Sequence, residues 1–138
     1  MIVVDTNVIA YLHIPGQYTS EARAAFLRDA LWAAPVLWRS ELRNILALYV
    51  RRKGLPLSEA ILVQEAAEGL MAGREYAVAS ADVLEISAEA QCSAYDGEFV
   101  ALARRLDLPF VTADRQLLER FPRVAVSLRV FASGASDE

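Results

Sequence analysis

The residues of this sequence best suited to chemistry are acids, and four of them stand where the folding pattern does not ask for a charge: Asp5, Glu41, Asp96 and Asp114. Asp5 directly follows Ile2-Val3-Val4, a β-branched run that reads as a strand buried on both faces. Asp114 stands two residues past Thr112, at the end of another short β-type run. In open α/β sheets, ligands bind beyond the carboxyl ends of the strands. Alone, each of these two is better read as a loop or helix-cap aspartate. Glu41 and Asp96 fall on apolar helical stripes instead. Glu41 is four residues from both Leu37 and Ile45, with Leu48 continuing the stripe and Leu42 and Leu46 flanking it. Asp96 leads Val100 by four and Ala103 by seven. A carboxylate turned into apolar surroundings without a partner is expensive. The plainer alternatives are an ion pair with an arginine for Glu41 and a helix N-cap for Asp96. Two strand-end acids and two stripe acids together favour a metal site.

Carboxylates gathered within a few ångströms raise one another's pKa unless a cation lies between them. The chain has one cysteine, Cys92, and one histidine, His13, both read as structural or incidental. That excludes a disulfide framework and a thiolate zinc site, and argues against a histidine-based triad or a poly-histidine metal site. An all-oxygen donor set selects Mg²⁺ or Mn²⁺. Such a site can activate a water and offset charge on a scissile phosphate. The expected reaction class is phosphodiester hydrolysis.

The elements that must hold these acids alternate between β and α. Short strands are predicted at residues 2–4, 32–34, 75–78, 109–112 and 124–126. Helices are predicted at 8–12, 19–31, 35–53, 58–73, 80–91, 96–106 and 114–120. Thr19 or Ser20, Ser58 and Ser80 are the expected caps, Pro35 opens the first turn of the long helix, and Gly54 closes it. Alternating β and α elements call for a parallel sheet with helices on both faces. With 138 residues there is room for one domain, expected over residues 1–131, followed by a disordered small-residue tail at 132–138. The longest apolar run, residues 30–38, holds Pro35 and is far short of the about 20 residues that span a membrane. An acid at position 5 also interrupts any leader, so a cytoplasmic, membrane-free setting is expected. The net charge of −4 argues against tight non-specific binding to nucleic acid, but not against an enzyme that holds cations on its acids.

These residues resemble known motifs. Val3-Val4-Asp5-Thr6-Asn7-Val8-Ile9 is similar to the opening motif of PIN-domain nucleases, Ser40-Glu41-Leu42 to their second acid, the segment 94–103 around Asp96 to their most specific stretch, and Val111-Thr112-Ala113-Asp114 to the fourth motif. The resemblance runs in order over about residues 1–128, and the chain's size points to the VapC-type toxins of toxin–antitoxin pairs. It implies a PIN-like three-layer α/β/α sandwich with a central parallel sheet. It also implies an endoribonuclease whose Asp5, Glu41, Asp96 and Asp114 bind Mg²⁺ or Mn²⁺. Thr112 would orient a water or a carboxylate, and Asn7 would support the pocket by hydrogen bonding. Glu98 is read as a solvated helix residue that could touch the metal shell, and Tyr95 and Trp38 as packing residues.

Other readings fail on named residues. A haloacid-dehalogenase-type phosphatase needs an acid where Asn7 stands, and a receiver domain needs a lysine beside its acids, whereas Lys53 ends a helix. A housekeeping RNA-processing enzyme without an antitoxin, or a binding module without turnover, stays open. Candidate RNA contacts are Arg39, Arg43 and Arg115, with Arg104 and Arg105 read as a solvated face. The resemblance further implies a cognate antitoxin, seated on the helices bearing Phe26, Leu27, Leu31, Ile61, Leu62 and Leu70, and a homodimer.

Overall fold

In the computed structural model, which describes residues 1–134, the five strands are β1 (Ile2–Val4), β2 (Trp32–Pro35), β3 (Glu75–Tyr76), β4 (Phe110–Thr112) and β5 (Ala125–Ser127). They form one parallel sheet in the order β3-β2-β1-β4-β5, with Val3 opposite both Ala33 and Phe110. All three residues of β1 are buried, as its continuous β-branched run requires. The helices are α1 (Thr6–His13), α2 (Thr19–Arg28), α3 (Trp38–Lys53), α4 (Leu57–Met71), α5 (Ser80–Ala90), α6 (Ala94–Leu106), α7 (Arg115–Arg120) and α8 (Leu128–Ser133). Right-handed crossovers put α1 to α4 on one face and α5 to α7 on the other. The packing agrees: α1 lies against α2, α3 and α4, while α6 lies against α5 and strands β1, β2 and β4. The expected three-layer α/β/α sandwich is the observed fold.

Strand order reverses at β1. From β1 the chain steps outward to β2 and β3, then returns to place β4 on the other side. A crevice therefore opens between the carboxyl ends of β1 and β4, the position where open sheets bind ligands. Asp5 ends one wall and Thr112 the other.

Several local expectations are corrected. Pro35 closes β2 rather than opening a helix. The amides of Ala34 and Val36 make the ladder bonds to Arg74 and Tyr76, so the proline falls between two donors where its missing N–H is not needed. The buried stripe of α3 is Trp38, Leu42 and Leu46, which leaves Glu41 on its half-buried edge beside Leu37, Ile45 and Leu48. Asp96 is not an N-cap. Ser93 fills that role, and α6 starts at Ala94. Thr19, Ser58 and Ser80 do not cap either. The Thr19 hydroxyl instead accepts the Gly16 amide and donates to the Ile14 carbonyl, closing the loop before α2. Gly54 does end α3, in the left-handed conformation at φ 68°. Residues 128–133 form an unexpected helix between the Ser127 cap and Gly134. Ala132 and Ser133 are thus helical rather than part of a tail, and residues 135–138 of the expected tail lie outside the described residues.

Candidate active site

One run of hydrogen bonds crosses the crevice. Asp5 caps α1, and its Oδ1 accepts the Asn7 amide at 3.2 Å. Its Oδ2 accepts the hydroxyl of Thr112 at 2.7 Å. Thr112 is fully buried at the end of β4, and its Oγ1 in turn accepts the Asp114 amide at 3.1 Å. Asp114 caps α7 through Oδ1, which takes the amides of Gln116 at 2.8 Å and Leu117 at 3.2 Å. Two strand ends and two helix starts are thereby locked together.

Glu41 joins from the first turn of α3, where its Oε1 accepts the Thr6 hydroxyl at 2.7 Å. Thr6 is buried at the start of α1. It was not singled out from the sequence, although its place directly after a strand-end acid is the available signal. Asp96 sits in the first turn of α6, its amide donating to Ser93 Oγ at 3.1 Å. Gly97 beside it lets α6 approach α5. A Cβ there would lie 3.3 Å from the Val83 carbonyl oxygen.

The charges crowd one another. Burial raises the pKa of Asp5, the Thr112 hydroxyl and Asn7 amide pull it back, and the charges of Asp96 and Asp114 push it up again. Glu41 is likewise raised by burial, lowered by the Thr6 bond and raised by Asp5, Asp96 and Glu98. Asp96 is raised by burial and then by Asp114, against smaller lowering by Ser93 and Arg120. Glu98 is raised by its own burial. It is half-buried and within the field of Glu41, not a plain solvated residue.

The crevice thus brings together all four acids, Thr112, and Glu98 at its margin. The Asn7 side chain makes no hydrogen bond to them; only its amide does. Tyr95 is 63% exposed next to Asp96, contrary to the packing role expected of it, whereas Trp38 is fully buried with Nε1 donating to Glu75. Arg39 is taken up by Glu75 and Glu68, and Arg43 stands 4.0 Å from Glu68, so neither offsets the acids. No ion pair to Asp5, Glu41, Asp96 or Asp114 exists among the described residues, which rules out the arginine-paired reading of Glu41.

As a donor set these residues fit a hard divalent cation. They offer only oxygen, and they repel one another. They are not a preformed cage: among the described residues no three His, Cys, Asp or Glu side chains stand close enough to hold one ion as arranged.

Comparison with known proteins gives the family and the fold. The sequence matches the PIN-domain family over residues 2–125. The chain belongs to the PIN-domain family. This PIN domain is 31% identical over 124 residues to Ribonuclease VapC3 of Pyrobaculum aerophilum, an alignment covering 88% of this chain and 95% of the relative. Its fold matches the crystal structure of PAE2754 from Pyrobaculum aerophilum with a TM-score of 0.76 at 18% identity, covering 96% of this chain and 94% of that one. It also matches FitAcB from Neisseria gonorrhoeae, with a TM-score of 0.68 at 22% identity over 93% and 98% of the two chains. Among the described residues no helix is long and apolar enough to cross a membrane.

Proposed function

We propose that this PIN domain is an endoribonuclease that hydrolyses RNA phosphodiester bonds with Mg²⁺ or Mn²⁺ held on Asp5, Glu41, Asp96 and Asp114, and that it is the toxin of a toxin–antitoxin pair. The observation that carries the proposal is the gathering of the half-buried Asp5, Glu41 and Asp96 and the exposed Asp114 at the β1–β4 crevice, with no ion pair to any of them among the described residues. The relationship to a VapC ribonuclease supports the choice of RNA. A divalent ion bound there would neutralise the scissile phosphate and supply a water of lowered pKa. Thr112 holds the Asp5 carboxylate in one orientation and Thr6 does the same for Glu41, so neither acid must reorganise when substrate arrives.

The antitoxin reading is supported by apolar side chains that one small sheet does not need. Leu27 is 87% exposed on α2, and Ile61 and Leu62 are exposed on α4. Phe26 and Leu70 are half-buried against the core. An amphipathic segment laid on these helices would cover them, and a basic side chain from it reaching the acids would silence the enzyme by charge. Two copies are expected to pair about a two-fold axis, which sedimentation at micromolar concentration checks. The decisive test in cells is to sequence RNA 5′ ends after inducing the wild type and Asp96→Asn. New ends should form only with the wild type, and co-expression of a protein encoded immediately upstream should suppress them. Identical ends from both proteins would refute the reading.

A further inference from the structure

With Arg39 and Arg43 engaged by glutamates, a different set of arginines has its charge unmatched. A cavity of about 760 Å³ opens between the C-terminal end of α6, the residues leading into β4 and the turn after α7. Arg104, Arg120 and Arg123 line it against a single acid, Asp107, and apolar residues including Leu108, Phe121 and Val126 complete its wall. None of the three guanidiniums is in an ion pair among the described residues. Arg120 Nη1 donates to the Gln91 carbonyl at 2.9 Å, and the Arg104 guanidinium lies 5.6 Å from the Phe121 ring centroid. Neutral partners thus hold both side chains without cancelling their charge. In a chain of net charge −4, this cavity is a local inversion of sign.

The cavity lies at the far end of α7 from the acidic crevice. Helix α7 begins beside Asp114 and ends at Arg120, whose Nη1 bonds the carbonyl of Gln91 just ahead of the helix that carries Asp96. A polyanion crossing the acids would meet Arg120 next.

We propose that this cavity binds a single-stranded stretch of the RNA substrate flanking the scissile bond, with phosphates on Arg104, Arg120 and Arg123 and a base against the apolar wall. The proposal rests on the ribonuclease reading for the identity of its ligand. A single strand is favoured over a duplex because only an unstacked base can enter an apolar recess. Nucleic acid is favoured over an acidic peptide because the arginines stand beside an apolar wall, which gives a phosphate and a base each a partner.

The test is binding of a short, unstructured, fluorescein-labelled oligoribonucleotide, followed by anisotropy in Mg²⁺ across a salt series. Both proteins compared carry Asp96→Asn so that the strand stays intact, and one also carries Arg104→Gln and Arg123→Gln. The added pair should weaken binding several-fold and make the slope of log affinity against log salt shallower by about 0.7 for each arginine removed. Lysine at both positions should restore the slope. An unchanged affinity and slope would overturn the proposal, and so would polyglutamate competing as well as unlabelled RNA. Hydrogen exchange needs no arginine substitution: the same RNA should slow exchange at residues 104–109 and 120–126, and slowing confined to the acidic crevice would overturn the proposal. RNA held here by a protein that cuts none would refute the ribonuclease reading alone, whereas cutting with no arginine effect would refute only the cavity.

Discussion

The Thr112 hydroxyl donates to Asp5 Oδ2 at 2.7 Å and ties the ends of β1 and β4 together across 107 residues of sequence. A bond from a hydroxyl to a buried carboxylate contributes about 1.5–3 kcal/mol. Thr112→Val keeps the shape and removes the donor, so it should lower RNA cleavage at neutral pH by about tenfold, which corresponds to about 1.4 kcal/mol. Because that bond lowers the Asp5 pKa, its loss should also move the acidic limb of the pH–rate profile to higher pH. A profile that keeps its limb would show that Asp5 is not the titrating group.

Asp5, Glu41, Asp96 and Glu98 all carry raised pKa values in the fold, each chiefly through burial. The folded state therefore binds more protons than the unfolded state at pH values above about 4, the ordinary carboxyl range. Stability from these groups is present at low pH and lost as pH rises through the raised values. In EDTA the melting temperature should fall over that window, and Mg²⁺ should reverse the fall by binding the native state. Asp96→Asn should raise the metal-free melting temperature at neutral pH and blunt the response to Mg²⁺. A metal-free wild type that grows more stable across the window would contradict the crowding of acids.

Gly97 should not tolerate a branched side chain. Its Cβ would meet the Val83 backbone at 3.3 Å, and Val83 lies on the helix against which α6 is seated. Gly97→Val should destabilise the fold by about 1–3 kcal/mol, read by urea denaturation. It should also shift Asp96 and depress cleavage, whereas an unchanged unfolding midpoint would show that α5 yields freely.

Arg39 is a structural residue. Its Nε and Nη2 hold Glu75 at 2.6 and 2.7 Å, Nη1 holds Glu68 at 2.9 Å, and its bonds to Glu75 keep that carboxyl below its ordinary value. Because the Glu75 pKa is lowered, the stability it contributes is present above the ordinary carboxyl range and lost on acidification. Arg39→Ala should lower the melting temperature at neutral pH, with a smaller deficit at pH 3, and leave the salt slope of RNA binding as in the wild type. A shallower slope would return Arg39 to the RNA-contacting set.

Much of this was legible in the sequence because it rests on local pattern. Ile2-Val3-Val4 followed by an acid identifies a buried strand and what stands at its end, and the parallel β/α alternation follows from the same periodicity. What was not legible is what tertiary pairing decides. Pro35 reads as a helix opener until β3 supplies a register in which its missing amide is unneeded. Ser127 and Gly134 bracket a helix too short to show a period. The Thr6–Glu41 bond joins residues 35 apart, which no spacing rule connects. Arg39 flanks Glu41 in sequence, yet its side chain runs to α4 and β3 instead.

The central claim is that the acids of the β1–β4 crevice hold a divalent ion that cuts RNA, and purified protein on a labelled RNA tests it most directly. The rate should vanish in EDTA, return with Mg²⁺ or Mn²⁺, and stay at background for a folded Asp96→Asn protein in either metal. Cleavage that persists through both chelation and Asp96→Asn would contradict the account.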